Sequence, residues 1–314
     1  MTKKKTVVIT GATGFIGQHI CARLVELQHT VVAVQRKPEP PVPGTHPVIA
    51  GDLAGTTDWP GILNGADCVV HLAASAHRGN SLQIRDRERI FQVNVEATRR
   101  LGEAAAAAGV KRFIFLSSIA VNGSHTSGRG PFAVDDAPDP QTVYGQSKHQ
   151  AELALKDVQK DAPGLAVDVI RCPAVIGRNA PGNLAVLNRL AVRRVPLPFA
   201  SIVNRRAFIA VDDLTSFISV RLNTDGQGMS TFLVATPDRI STPDLIRAIA
   251  KAKRTTAMLF PFPPSLLRRL LHGANMQDKA DALTGNLEID ISSALATGWR
   301  PALSIEAAIA GVYS

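Results

Sequence analysis

The chain has 314 residues, 45% of them hydrophobic and 19% charged, which excludes disorder and suits one large α/β unit with a smaller appendage better than two equal domains. No stretch approaches the roughly 18 uncharged apolar residues of a membrane span, so none is expected. The net charge of +9 favours anionic partners, from nucleotides and phosphorylated sugars to nucleic acid or an anionic membrane surface; the cations are dispersed apart from Lys3 to Lys5 and pairs such as Arg193-Arg194 and Arg205-Arg206, with no stripe interleaved with aromatics, so nucleic acid is not expected.

Lys3 to Lys5 run straight into Val7-Val8-Ile9. A signal peptide has a longer apolar region and a small-residue cleavage site, so this start reads as a solvated lead-in to a strand at 6–10. Cys21, Cys68 and Cys172 are odd in number and widely spaced, which fits reduced thiols in a cytoplasmic protein with neither a disulfide framework nor a metal site.

Thr10-Gly11-Ala12-Thr13-Gly14-Phe15-Ile16-Gly17 joins that strand to a helix expected near 15–28. Glycines let such a turn take conformations other residues resist and let the backbone approach a pyrophosphate, whose charge meets the helix N-terminus. The setting between strand and helix, more than the glycines, separates dinucleotide binding from a mere tight turn. Gly11, Thr13, Gly14, Phe15, Ile16 and Gly17 are therefore candidate cofactor residues.

A strand at 30–35 ends in Val34-Gln35-Arg36-Lys37, without the acid that takes the ribose hydroxyls of NAD. Arg36 could pair with a 2′-phosphate, which predicts NADP(H) ahead of NAD(H); the alternative is that Arg36 and Lys37 begin a solvated loop. Five prolines between Pro38 and Pro47 require a surface loop. After a strand at 47–50, Asp52 is placed to accept from an adenine amino group or to cap the next segment.

A strand at 67–71 and a helix at 84–108 follow, the Ala-rich helix end stopping at Gly109. Asn94 interrupts that helix's apolar and charged residues; it is read as facing the ligand crevice, with a buried, satisfied asparagine as the alternative. A strand at 111–117 leads into Ser117-Ser118 at its C-terminal end, where an open α/β sheet keeps its crevice. A serine hydroxyl there can bond a substrate carbonyl or carbinol oxygen.

The helix at 143–161 carries Tyr144 and Lys148, four apart and hence on one face. Tyrosine, with an ordinary pKa of about 10, is a poor acid or base near neutrality, and an adjacent lysine favours its phenolate. Alone, this spacing is equally a surface pair. Combined with Ser117-Ser118 it makes Ser118, Tyr144, Lys148 and Asn94 the candidate catalytic set of an oxidoreductase.

With a strand at 166–171, the alternation predicts the α/β class and a Rossmann-type doubly wound parallel sheet with a smaller C-terminal substrate-binding region. Beyond 172 the alternation fades and Pro and Gly cluster at 173–182, 196–198 and 261–264. The expected division is a dinucleotide-binding domain over 1–172, with return segments near 205–235, and a mainly substrate-binding region over 173–314.

Together these residues resemble the extended short-chain dehydrogenase/reductase superfamily, in particular the NAD-dependent epimerase/dehydratase family with its nucleotide-sugar epimerases, dehydratases and 4-keto-sugar reductases. The resemblance covers nearly the whole chain, through the glycine turn, Gly51-Asp52-Leu53, His71-Leu72-Ala73-Ala74, Asn94, Phe115 to Ser118, Tyr144 to Lys148, Arg171-Cys172-Pro173 and Arg206 to Leu214. It implies Tyr144 as acid/base, Lys148 bridging Tyr144 and the nicotinamide ribose, and Ser118 as the catalytic serine. It further implies Ser117, Leu53, Ala73, Ala74 and Pro173 along the cofactor.

Gly182-Asn183-Leu184 and Arg205 to Phe208 look like the segments that grip a nucleotide diphosphate. Asn183 would then contact the diphosphate or sugar and Arg206 the β-phosphate, for which a guanidinium fork is suited; a solvated strand flank is the alternative for the arginines. Two departures stand out: Cys172 interrupts the usual Arg-Pro step, and Asn122 replaces a tyrosine common in nucleotide-sugar enzymes.

Ser117 to Gly123 and Asn204 to Arg206 look like bacterial reductases that convert a UDP-linked 4-keto-6-deoxy-HexNAc to an N-acetylquinovosamine nucleotide for surface polysaccharide. Net reduction draws on NADPH, so Arg36 favours a reductase over the alternative, a UDP-glucose 4-epimerase-like enzyme. Ile119 and Ala120 stand where a dehydratase carries an acidic pair, and a dinucleotide-sensing regulator would not require Tyr144 and Lys148. The expected partner is a nucleotide sugar, and homodimer formation is left open.

Overall fold

Val7, Val8 and Ile9 are all fully buried, as expected of a strand covered on both faces. The computed structural model describes residues 3–76, 84–274 and 276–313. Its strands are β1 (Thr6–Thr10), β2 (Thr30–Gln35), β3 (His46–Ile49), β4 (Cys68–His71), β5 (Arg112–Ser118), β6 (Ala166–Cys172), β7 (Val175–Ile176), β8 (Ile209–Ala210) and β9 (Met229–Leu233). The helices are α1 (Phe15–Glu26), α2 (Trp59–Leu63), α3 (Ile84–Phe91), α4 (Ala97–Ala107), α5 (Val143–Asp161), α6 (Asn183–Val192), α7 (Val211–Leu222), α8 (Thr242–Ala252), α9 (Pro264–Gly273), α10 (Gln277–Thr284), α11 (Ser292–Leu295) and α12 (Ile305–Tyr313).

Seven strands form one sheet in the order β3-β2-β1-β4-β5-β6-β9, and β7 with β8 forms a second. Pairs from β3 to β5 are parallel, in registers such as Val7↔Val31, Val7↔Cys68 and Cys68↔Arg112. Strand order reverses at β1 and β4, the position where an open α/β sheet opens a crevice at its carboxyl edge. Val8, Val69, Phe113, Phe115, Val167 and Val169 form one cluster with Leu63 of α2, Leu101 of α4 and Leu155 of α5. The intervening Val7, Ile9, Val70 and Ile114 are equally buried, so both faces are covered.

The helix expected over 84–108 is not continuous. A π-helical turn over Gln92–Glu96 separates α3 from α4; such a one-residue insertion re-aims side chains and is often found at functional sites. The proline-rich stretch is not entirely loop either, because Pro47 pairs with Ala33 inside β3. β3 is an edge strand, where a missing N–H costs no ladder bond.

Two compact units result: residues up to Val121 with Val143–Arg171 and Thr215–Phe232, and Asn122–Thr142 with Cys172–Leu214 and Leu233–Ser314. The segment 122–142, expected within the first 172 residues, groups with the second unit. Backbone bonds explain this: Thr126 N–H donates to Asn286 O, Phe132 N–H to Glu288 O, and Asp290 N–H to Phe132 O. Phe132 is buried among them.

Deep in the first unit, Asp168 of β6 accepts from Arg112 Nη1 at 2.5 Å and from Arg221 Nε and Nη2 at 3.1 and 3.0 Å. Arg221 also lies over the Phe232 ring at 4.6 Å. No helix among the described residues is long and apolar enough to cross a membrane.

Candidate active site

The Gly11 backbone has φ +71, and a Cβ there would meet Ala73 N at 2.8 Å; at Gly17 a Cβ would lie 2.1 Å from Gly11 O. Glycine at these two positions lets the turn pack against both the residues after β4 and the start of α1. Gly14 caps α1 without a side-chain bond, leaving the helix N-terminus open toward an anion. These features fit a dinucleotide pyrophosphate.

Beside the turn lies a cavity of about 240 Å³ lined by Ala12, Thr13, Gln18 and Gln35 and by Pro40 to Pro43. The proline loop is thus a wall of this cavity, a role that its composition did not signal. Gln35 is buried, whereas Arg36 is exposed. Asp52 accepts from Ala54 N–H at 3.1 Å and ion-pairs with Arg89. Of its two expected roles, the cap is the one its carboxylate fills. Leu53 is half-buried and its carbonyl accepts from Arg100 at 2.8 Å. Phe15, Ile16 and Ala73 are half-buried, and Ala74 is exposed.

His71, at the end of β4, is fully inside. Its Nδ1 lies 2.6 Å from Thr10 Oγ1 and its Nε2 lies 2.8 Å from Thr98 Oγ1, which in turn donates to Asn94 O at 2.7 Å. Thr98 gives its own proton to that carbonyl, so it receives one from Nε2, and Thr10 donates to Nδ1. This direction requires a neutral imidazole. Burial, and then the Lys148 charge, push the His71 pKa down to about 3.

Asn94 sits on the π-helical turn and is buried. Its Oδ1 accepts from Ser75 N–H at 2.7 Å, and its Nδ2 donates to Ser75 O and Ser147 Oγ, both at 2.9 Å. Its amide is committed to protein partners, which fits the alternative of a buried, satisfied asparagine. Ser147 Oγ donates onward to Tyr144 O at 2.8 Å. Asn94 therefore acts on the site through α5.

On α5, Lys148 is buried with Nζ 3.9 Å from the centroid of the Phe115 ring, a cation–π contact. Phe115 also stacks on His71, with centroids 5.7 Å apart and planes at 22°. Tyr144, one turn before Lys148, is half-buried. Ser118 is half-buried at the end of β5, and its Oγ accepts from Ala120 N–H at 3.2 Å. Its proton stays available to a substrate oxygen.

Ser117 differs. Its Oγ donates to Glu152 Oε1 at 2.5 Å, and Arg171 forks onto both oxygens of the same carboxylate at 3.1 and 2.6 Å. The Ser117 hydroxyl is thus tied into the core of the unit. Glu152 was not anticipated, yet Tyr144, Lys148 and Glu152 follow at i, i+4 and i+8, one helix face. That spacing was the available signal. The carboxylate clamps α5 to β5 and β6.

In the second unit, Pro173 and Cys172 are buried. Asn122 is buried as well and donates to Ala133 O at 3.2 Å, so a packing bond occupies the residue that replaces tyrosine. Asn183 and Arg206 line one cavity of about 290 Å³ with Leu187, Phe199, Met276 and Lys279. Asn183 is the first residue of α6, whose cap, Gly182, makes no side-chain bond.

The adjacent arginines have separate environments. Arg205 is exposed and pairs with Glu288 at 3.1 Å, a solvated flank. Arg206 turns inward, with Nη1 donating to Asp281 O and Gly285 O at 3.2 and 2.9 Å. Burial pushes its pKa down to about 10, so the guanidinium stays charged near neutrality.

The chain as a whole is similar to known proteins. A model of the family described as "NAD dependent epimerase/dehydratase family" matches residues 7–235. A Vibrio cholerae protein named UDP-glucose 4-epimerase is 32% identical over 305 residues, covering 96% of this chain and 92% of its own. An N-acetyl-alpha-D-glucosaminyl-diphospho-ditrans,octacis-undecaprenol 4-epimerase of Escherichia coli O157:H7 is 25% identical, over 83% of this chain and 77% of its own. Among solved structures, MoeE5 in complex with UDP-glucuronic acid and NAD aligns with a TM-score of 0.80 at 25% identity, over 97% of this chain and 96% of that one.

Proposed function

Since the chain belongs to the NAD dependent epimerase/dehydratase family, we propose that it is a 4-epimerase of a UDP-linked hexose acting in the cytoplasm. The observation that carries this choice of reaction is the end-to-end likeness to the Vibrio cholerae 4-epimerase. A bound dinucleotide would supply reversible hydride acceptance at C4, held at the glycine turn and along Ala73, Ala74 and Pro173. NAD is favoured because the similar MoeE5 is complexed with it.

This chain's residues do the proton work. Ser118 Oγ donates to the C4 oxygen, and Tyr144 takes the hydroxyl proton and returns it when the sugar has turned its other face. The Lys148 charge, one turn along α5, favours negative charge on the Tyr144 oxygen while the proton is away. Asn183, the open end of α6 and the Arg206 nitrogens not given to Asp281 and Gly285 take the diphosphate.

Net reduction of a UDP-4-keto-6-deoxy-HexNAc for surface polysaccharide is the second reading, and Arg36 is the observation that favours it. The deciding assay incubates the protein with UDP-hexoses and catalytic NAD, and separately with a UDP-4-keto sugar and NADPH. We expect inversion at C4 by NMR without net cofactor consumption. Stoichiometric NADPH oxidation with no inversion of UDP-hexoses would overturn the epimerase reading.

Cofactor choice has its own test. If Arg36 meets a 2′-phosphate, Arg36→Ala lowers NADPH affinity about tenfold relative to NADH, the value of one charge-assisted bond. Fluorescence titration that gives an unchanged ratio assigns Arg36 to the solvated loop.

A further inference from the structure

From Leu245 to Gln277 the chain holds six lysines and arginines, one histidine and no acid. The same stretch contains four of the exposed large hydrophobic side chains: Met258, Phe260, Leu266 and Leu270, from 42 to 59% exposed. Met258 and Phe260 are alternate residues of an extended segment that bonds to 197–200 through Leu197 N–H to Met258 O at 2.9 Å and Phe260 N–H to Leu197 O at 3.0 Å. Alternation turns both to the side opposite Leu259. Leu266 and Leu270 lie one turn apart on α9, while Leu267 of the same helix is buried.

Cations precede both paired segments and also stand on α9. The bridge Leu197↔Leu259 is parallel, so the segments feeding its two sides arrive from one end. They carry Arg193-Arg194 and Lys253-Arg254, all exposed. Arg194 and Arg254 each hold a left-handed backbone, φ 54, one residue past the caps of α6 and α8. Glycine is usual at that helix position, and here a long cation occupies it twice. Arg269 adjoins Leu266 and Leu270 on α9, and Arg268 is partly balanced by Asp281 at 3.3 Å.

Exposed apolar side chains interspersed with cations, of which only Arg268 is shown paired with an acid, Asp281, match a surface that takes acyl chains and lipid phosphates together. A second copy joined through this face would set like charges against each other. Nucleic acid would use the cations and leave Met258, Leu266 and Leu270 without a role. We propose that the face formed by residues 258–272, with Arg193, Arg194, Lys253 and Arg254, docks the protein on an anionic phospholipid bilayer. This inference rests on these residues and not on the reaction proposed above.

The test sediments the full chain with vesicles of phosphatidylcholine alone and of phosphatidylcholine mixed with phosphatidylglycerol. Binding is expected to the anionic vesicles only, and to weaken as salt is raised. A Phe260→Ser, Leu266→Ser, Leu270→Ser variant and, separately, an Arg193→Gln, Arg194→Gln variant should each lower partitioning by about tenfold or more. Thermal melts and dinucleotide affinity of both variants should match the parent, which separates lost docking from lost folding. The proposal is overturned by absence of binding to anionic vesicles at low salt, or by unchanged binding of either variant. It is equally overturned if the serine variant turns a dimer into a monomer, or if duplex DNA displaces the vesicles through the same residues.

Discussion

Tyr144→Phe is expected to lower turnover of a nucleotide sugar by about a hundred- to ten-thousandfold, the range for removal of a positioned general acid/base. Dinucleotide affinity should stay within about twofold, because the glycine turn and the open end of α1 are untouched. The argument rests on how the phenol is presented. Ser147 holds the Tyr144 carbonyl, and Asn94 holds Ser147. Lys148 is buried against Phe115, where low polarity strengthens its field. His71, stacked on the same ring, has its pKa pushed down to about 3. It stays neutral above that pH and adds no competing charge. Steady-state kinetics with a fluorescence titration of dinucleotide check the result; a variant that keeps more than about a tenth of the parent rate removes Tyr144 from the chemistry.

Asp168→Ala should be the most damaging single change to stability, costing about 3–5 kcal/mol, as expected when one member of a buried ion network is removed. The carboxylate answers two arginines whose side chains are only 7 and 8% exposed. Without it, both guanidinium groups remain desolvated beside each other. Such a loss takes a large share of a typical 5–15 kcal/mol margin. Arg23→Ala, which breaks an exposed pair with Glu26 on α1, should cost less than about 1 kcal/mol. Urea unfolding of both variants measures the contrast. A loss below about 1 kcal/mol for Asp168→Ala would show that the buried network is not holding β5, β6 and α7 together.

Both predictions concern residues whose importance was legible to different degrees. Spacing places Tyr144 and Lys148 on one helix face, since four residues make one helical turn wherever that helix packs, and Ser117-Ser118 at the end of the neighbouring strand distinguishes them from a surface pair. Asp168, Arg112 and Arg221 looked like ordinary charges. Their strands and helix are 53 and 56 residues apart in the chain, and no local pattern marks such a meeting.

The same division runs through the site. β1, β2, α1 and α5 were readable because the hydrogen bonds that make them join near neighbours or repeat with a fixed period, and side-chain polarity follows that period. The glycine turn was readable because backbone conformation at Gly11 is a local property. Polar side chains carry no such period. Asn94 is tied inside because Ser75 and Ser147, 19 and 53 residues distant, take its amide. Ser117 and Ser118 separated because Glu152 lies across from only one of them. Arg205 and Arg206 separated because Glu288 met the first and the end of α10 the second. The sequence by itself determined the sheet, the dinucleotide turn and the Tyr144–Lys148 face, whereas the tertiary structure decided which polar groups remain free for chemistry, because a buried donor or acceptor takes whichever partner the fold brings within about 3 Å.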